Sequence, residues 1–193
     1  MTLAAKRTTA PAVASESALV ERLAAGDLEA LGKLFDRFES DVRRFVQRLG
    51  VQPSDADDLV QLTFLDVAKS AARFDPKCSA RAWIMGVAAI HVRRHRRSVA
   101  RLLRAAAAHV FEARRPDVRT PDASFESEQE QARFRKALEQ LSDKKREVFV
   151  MVAMEGASGE DAAAAFGIPV ATVWTRLHHA RKELRAALGE GET

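Results

Sequence analysis

The stretch SGEDAAAAFGIPVATVWTRLHHARKEL, residues 158–184, decides the fold. Ser158 and Asp161 stand at the spacing of a capping box, in which the serine oxygen takes a free N–H of the first helical turn. The short run after them is nearly all alanine and ends at Phe166 and Gly167. Alanine lets a second helix cross closely, Gly167 supplies the positive φ of a sharp exit, and Pro169 suits the first turn of the next helix. That order of parts is the steric requirement of a helix-turn-helix. On the second helix Val173, Leu177, Ala180, Leu184 and Leu188 make one buried stripe. Thr175, His178, His179 and Lys182 share the opposite side, with Thr172 and Arg176 flanking it. Donors and small hydroxyls on an outer face suit base edges and phosphates. A solvated helix of a bundle would also be two-faced, but cap, glycine, proline and basic outer face together favour DNA binding.

Working outward from this module, the composition is that of a helical protein. Of 193 residues, 47% are apolar and 30% charged, with only 9 Gly and 6 Pro. No segment has a useful strand period. N-terminal to the reader, Leu138 and Leu141 precede Ser142, which can cap a helix burying Val148, Phe149 and Val152; Gly156 marks the next turn. Before that, residues 112–131 hold two prolines and no periodicity, with Asp122, Glu126, Glu128 and Glu130 in an acidic second half. The expectation is all-α: two small helical domains, residues 17–112 and 129–190, joined by a flexible acidic linker at 113–128, after a disordered tail at 1–16.

The N-terminal domain reads as three helices. Leu28, Leu31, Phe35, Phe38, Val42, Phe45 and Leu49 recur at alternating three- and four-residue spacing, with a break near Gly26 and Asp27 and an end at Gly50. Pro53 and Ser54 open a second helix whose core stripe is Val60, Phe64, Val67 and Ala71. Its other face carries Asp58, Gln61 and Lys69 but also Leu62 and Leu65. Leucines beside acids suggest a partner surface, although single exposed leucines are ordinary. A third helix runs from about Ser79 to Arg97, with an extension toward Val110. It is apolar through Val92, and then six Arg and no acid fall between Arg93 and Arg104. Like charges at this density repel unless an anion is present, which favours a phosphate-tracking surface.

Several function classes fall away. His91 and His95 have the i, i+4 spacing of a helical metal pair but lack the following Glu, so no metal site is expected. No Ser/His/Asp set, glycine-rich phosphate loop or CxxC appears; no catalytic residue and no cofactor is expected. Cys78 is the sole cysteine, which excludes an internal disulfide and predicts an inert structural thiol in a reducing cytoplasm. No stretch approaches the ~18 apolar residues of a membrane span, and the N-terminus is a poor signal peptide.

Taken together, DADDLVQLTFLDVAKSAARFDPKCSARAWIMGVAA with its Arg-rich continuation resembles region 2 of bacterial sigma factors. LSDKKREVFVMVAMEGASGEDAAAAFGIPVATVWTRLHHARKEL resembles region 4. With only these two regions, over residues 17–188, the chain resembles an extracytoplasmic-function (ECF) sigma factor of the sigma-70 family. The resemblance implies that Asp57, Asp58, Gln61, Leu62 and Leu65 dock on the clamp of the large subunit of core RNA polymerase. It assigns Arg81, Trp83, Ile90, Arg93, Arg94, Arg96 and Arg97 to the −10 promoter element and its melting, where unstacked bases enter pockets and Arg follows the backbone. Thr172, Trp174, Thr175, Arg176, His178, His179 and Lys182 fall to the −35 element. The acidic linker matches a segment that threads toward the RNA exit path, and an anti-sigma factor is the implied regulator.

The sequence departs from the family pattern at informative places. Leu62 replaces a Glu, which favours an apolar polymerase contact. Ile90 and Gly86 stand where Asn and Arg are frequent. Ala162 replaces a larger aliphatic and Gly159 an aromatic, which predicts loose packing of the first reader helix. Trp174 replaces a small or basic residue. Two rivals remain at this level: a helix-turn-helix regulator of duplex DNA that needs no polymerase, and an RNA-binding or assembly protein using the Arg-rich helix.

Overall fold

The computed structural model describes residues 11–109 and 125–189, and among them every regular element is helical. The first module holds α1 (Pro11–Ala24), α2 (Leu28–Arg48), α3 (Pro53–Ser70) and α4 (Ala80–His109), with a 3₁₀ turn at Ala71–Arg73. The second holds α5 (Phe125–Gln140), α6 (Asp143–Phe149), α7 (Gly159–Phe166) and α8 (Val170–Leu188); α6 continues as a π-turn over Val150–Met154. Of the linker expected at 113–128, residues 113–124 lie outside the described residues, as do 1–10, and 125–128 instead form the first turn of α5. α1 begins at Pro11, inside the segment expected as a tail, because Val20 and Leu23 give it an apolar face to bury. α5 likewise starts four residues before the expected point at Gln129.

In the first module α2 packs on α1, α3 and α4, and α3 packs along α4. Asp27 caps α2 by accepting from the N–H groups of Glu29 and Ala30, which explains the break read at Gly26–Asp27. The stripe of α2 differs in its first half from the one expected. Phe38, Val42, Phe45 and Leu49 are buried, but Leu28 is 72% exposed and Phe35 stands at the surface. Ala30 and Leu34 take the inner positions, since three- and four-residue steps fit two adjacent stripes and the docking of α1 selects between them. Val60, Phe64, Val67 and Ala71 are buried as expected.

In the second module α8 packs on α5, α6 and α7. Ser158 caps α7 by accepting from the Asp161 N–H at 2.9 Å, and Gly167 ends it in the left-handed region at φ +62°. Pro169 is the N-cap of α8 rather than its first helical residue. Ala162 and Ala163 are buried against their neighbours, so the all-alanine helix packs tightly. Ser142 precedes α6 without a side-chain cap bond. Arg146, in a run that reads as surface, is 2% exposed. It donates to the carbonyls of Leu138, Glu139 and Leu141 at 2.6–2.7 Å and approaches Leu49 O at 3.4 Å, so one cation serves the carboxyl ends of α5 and α2.

The modules are not apart. α7 lies on α4, and one continuous apolar core runs through both. Gly86 sits at the crossing, where an added Cβ would fall 2.6 Å from the carbonyl oxygen of Ala165.

Candidate nucleic-acid and polymerase surfaces

The period of α4 sorts its arginines into two sets. Arg94 and Arg97 are exposed, and with Arg101 and Arg104 they line one open groove of about 460 Å³. Steps of three and four keep these four on one face, and no carboxylate among the described residues pairs with any of them. Arg93 and Arg96 turn the other way, toward α6. Arg93 donates to Glu147 at 2.6 Å, and Arg96 pairs with Asp143 at 2.8 Å. Burial raises the Glu147 carboxyl to about 7, while Arg93 opposes that rise. Ile90 is 40% exposed on the same helix.

Arg81 belongs with the inward set. It bonds Asp41 at 2.6 Å and Glu155 at 2.7 Å, and its Nη1 donates to the Glu155 carbonyl. The buried Glu155 carboxylate also receives Arg48 at 2.6 Å and Arg44 at 3.2 Å, so three arginines of the first module converge on one acid of the second. Asp161 completes the clasp: its Oδ1 accepts from the Ser79 N–H at 2.6 Å. The Asp161 carboxylate is thus shared: Oδ2 accepts from the Ser158 hydroxyl at 2.9 Å, and Oδ1 holds the start of α4 rather than the Ser158 N–H of a full capping box. Of the residues assigned to the −10 element, Arg81, Arg93 and Arg96 lie in contacts between the modules, and Trp83 is half-buried with its ring 5.2 Å from that of Phe74. Arg94, Arg97 and Ile90 face outward. Sequence reasoning missed the clasp acids Asp143, Glu147 and Glu155, since nothing local marks a partner more than 45 residues away in the chain.

The outer face of α3 presents Asp57, Asp58, Gln61, Leu62 and Leu65, all exposed, with Leu62 at 45% and Leu65 at 53%. Asp57 pairs with Arg43 of α2, while the rest of the face stands clear. His91 and His95 of α4 meet carboxylates of α3: His91 Nε2 is 3.0 Å from Asp66, off the direction of a good hydrogen bond, and His95 is 3.4 Å from Asp55. Burial lowers the His91 pKa, which keeps that ring neutral. Cys78 is buried, and burial pushes its thiol up to about 12, the signature of an inert side chain.

On α8, Trp174, Thr175, His178, His179 and Lys182 are exposed, and Val173, Leu177, Ala180 and Leu184 are buried. Thr175 Oγ1 donates to Ala171 O at 2.9 Å, so its proton is committed within the helix while its lone pairs remain open. The His178 and His179 rings meet edge-on at 5.6 Å. Thr172 and Arg176 are half-buried, and Arg176 lies on the side of Glu147, whose pKa it helps to hold down. The two departures at Gly159 and Trp174 prove to be one: the Trp174 ring occupies the space where a Cβ on residue 159 would fall, 2.5 Å from its Cζ2.

Comparison with known proteins agrees with this arrangement. The family "Sigma-70 region 2" matches residues 34–102, and "Sigma-70, region 4" matches residues 131–184. The chain is 32% identical over 179 residues to the RNA polymerase sigma factor CarQ of Myxococcus xanthus, covering 90% of this chain and 97% of that protein. It is 32% identical over 189 residues to the ECF RNA polymerase sigma factor SigC of Mycobacterium tuberculosis, covering 91% and 94%. The solved structure of CnrH in complex with the cytosolic domain of CnrY superposes with a TM-score of 0.65 at 27% identity, covering 92% of this chain and 99% of that one. Among the described residues no helix is long and apolar enough to cross a membrane. Two sigma regions, a helix-turn-helix and a basic helix thus meet in one chain, which belongs to the ECF sigma factors of the sigma-70 family and is an alternative sigma factor for transcription initiation.

Proposed function

We propose that three separate outward faces divide the work of initiation. Asp58, Gln61, Leu62 and Leu65 on α3 dock on the clamp of core RNA polymerase. The Arg94–Arg104 face of α4, with Ile90, follows the backbone of the −10 element and of the strand displaced there. The outer face of α8 reads the −35 element. The chain supplies binding and no catalysis, and acts in the cytoplasm, where polymerase and promoter are. The observation that carries the reading is the α3 face: two leucines about half exposed among acids, uncovered by any described residue, are a surface built for a partner.

The packed modules set a condition on this activity. Elements named −35 and −10 lie ~25 base pairs apart, or roughly 85 Å at about 3.4 Å per base pair. Modules held in backbone contact at Gly86 and Ala165 do not span that distance, so the promoter-bound form has α7 lifted from α4. The clasp also occupies Arg81, Arg93 and Arg96. That CnrH is solved in complex with the cytosolic domain of CnrY supports a protein partner, an anti-sigma factor, as the regulator here.

The test is mixing with sigma-free core polymerase. Wild type should co-purify and direct promoter-dependent transcripts. Asp58→Arg with Leu62→Arg should abolish co-purification with the helical circular dichroism unchanged, because both side chains point away from the core. Undiminished polymerase association would overturn the docking assignment.

A further inference from the structure

Of the large apolar side chains exposed among the described residues, only Trp174 lies in the second module. It sits in the second turn of α8, on the edge of the outer face, 49% exposed. It is not a loose surface residue. The Cζ2–Cε2 edge of its indole lies over the Cα of Gly159, and a methyl group at that position would stand 2.5 Å from Cζ2 and 2.9 Å from Cε2. Helical side chains lean toward the N-terminus, so the ring covers the first turn of α8 while the start of α7 supports it from beneath. The supported ring leaves its other surface to solvent, beside Thr175 and one turn before His178.

Resting on the assignment of α8 to the −35 element, we infer that Trp174 is a specificity-determining residue that selects thymine through its C5-methyl group. The major-groove edges of the four base pairs offer hydrogen-bond donors and acceptors, and a single apolar group, the thymine methyl. A flat apolar surface held at a fixed height matches that group and none of the others. The indole N–H is a donor only, and it sits on the ring edge next to the α7 contact, so the open part of the ring is hydrocarbon. Gly159 is the positioning residue: its missing side chain sets the ring's height and tilt.

The experiment uses the full-length chain assembled with sigma-free core polymerase. A −35 duplex is first selected from a randomised library, and each thymine is then replaced in turn by deoxyuridine, which keeps every hydrogen bond and removes only the methyl. At one position wild type should lose affinity about fourfold, the fold-change that follows from one lost apolar carbon. Trp174→Ala should bind thymine and deoxyuridine equally there, Trp174→Phe should recover part of the difference, and Gly159→Ala should shrink it with Trp174 still present. His178→Ala and His179→Ala should keep the methyl effect while changing preference elsewhere. Wild type that is indifferent to deoxyuridine at every position overturns the inference, a result that needs no variant to fold. A methyl effect that persists in Trp174→Ala overturns it equally. Failure of wild type to select any −35 sequence would instead remove the underlying assignment of α8, and the two failures are therefore distinct.

Discussion

The two faces of α4 are written in one unbroken run of sequence, and they do opposite things. Arg94, Arg97, Arg101 and Arg104 line an open groove with no acid among them. Arg93 and Arg96, one step away along the same run, are ion-paired to Glu147 and Asp143 of the other module. Composition alone makes this a single basic patch. The helical period makes it an open basic surface back to back with an intramolecular clasp. An arginine neutralised by its own chain releases no counterions on DNA until the clasp opens, so net charge overstates what the closed form offers to a promoter.

The largest expected effect breaks this comparison directly. Replacing Arg94, Arg97, Arg101 and Arg104 with Ala removes four phosphate contacts, which should flatten the slope of log affinity against log salt by about 3.6 for duplex DNA. Strand opening, read by permanganate reactivity of unpaired thymines, should fall with it. Arg93→Ala with Arg96→Ala should flatten the slope by far less than half that amount in the free protein, because those cations are already paired. A flattening of about 1.8, the same per arginine, would mean that the faces are not distinct.

The second effect targets the crossing. Gly86→Ala places a Cβ 2.6 Å from a backbone carbonyl of α7, which cannot move as a side-chain tip would. Overpacking of this kind costs typically ~1–3 kcal/mol, and here the strain is relieved by separating the modules. The radius of gyration in small-angle scattering should rise and the binding of free protein to promoter should improve, with the helix content preserved. An unchanged radius would show that α7 stays on α4 by local adjustment.

The asymmetry also explains how much was legible in the sequence. The reader was legible because its signals are local: Ser158, Gly167 and the Val173–Leu184 stripe lie within one supersecondary unit. The outward set on α3 was legible for the same reason, as residues on one helix that did not fit its core stripe. Contacts between the modules were not, because periodicity fixes which face of a helix is polar and not what that face meets. Asp161 satisfied a capping rule, and one of its oxygens was spent on Ser79 of the other module. Arg146 sat in a Lys–Lys–Arg run and went to the ends of two helices. Gly159 and Trp174 read as two separate oddities, one of them a packing defect, until the fold showed the ring of one filling the gap of the other.

The smallest effect is a pH dependence of the clasp. Glu147 of α6 faces Arg93 from α4 and lies near Asp143 of its own helix and Arg176 of α8; burial holds its carboxyl at about 7, against an ordinary value of 4.5. A carboxyl whose pKa is raised in the closed form keeps a proton there that it loses once exposed. The closed form is therefore favoured at low pH, and that advantage is lost progressively as pH rises from about 4.5 through about 7, levelling off beyond it. Between pH 6 and pH 8 the two values imply a shift of roughly 1.3 kcal/mol, about tenfold in the ratio of open to closed forms. Energy transfer between dyes on α1 and α8 should report opening over this range. The comparison is with Glu147→Gln, which cannot ionise and should lose the part of the slope that belongs to this carboxyl. Arg93→Ala removes the one cation paired with it and should move the transition to higher pH. A slope identical in wild type and Glu147→Gln would show that the carboxyl buried between the two faces takes no part in opening them.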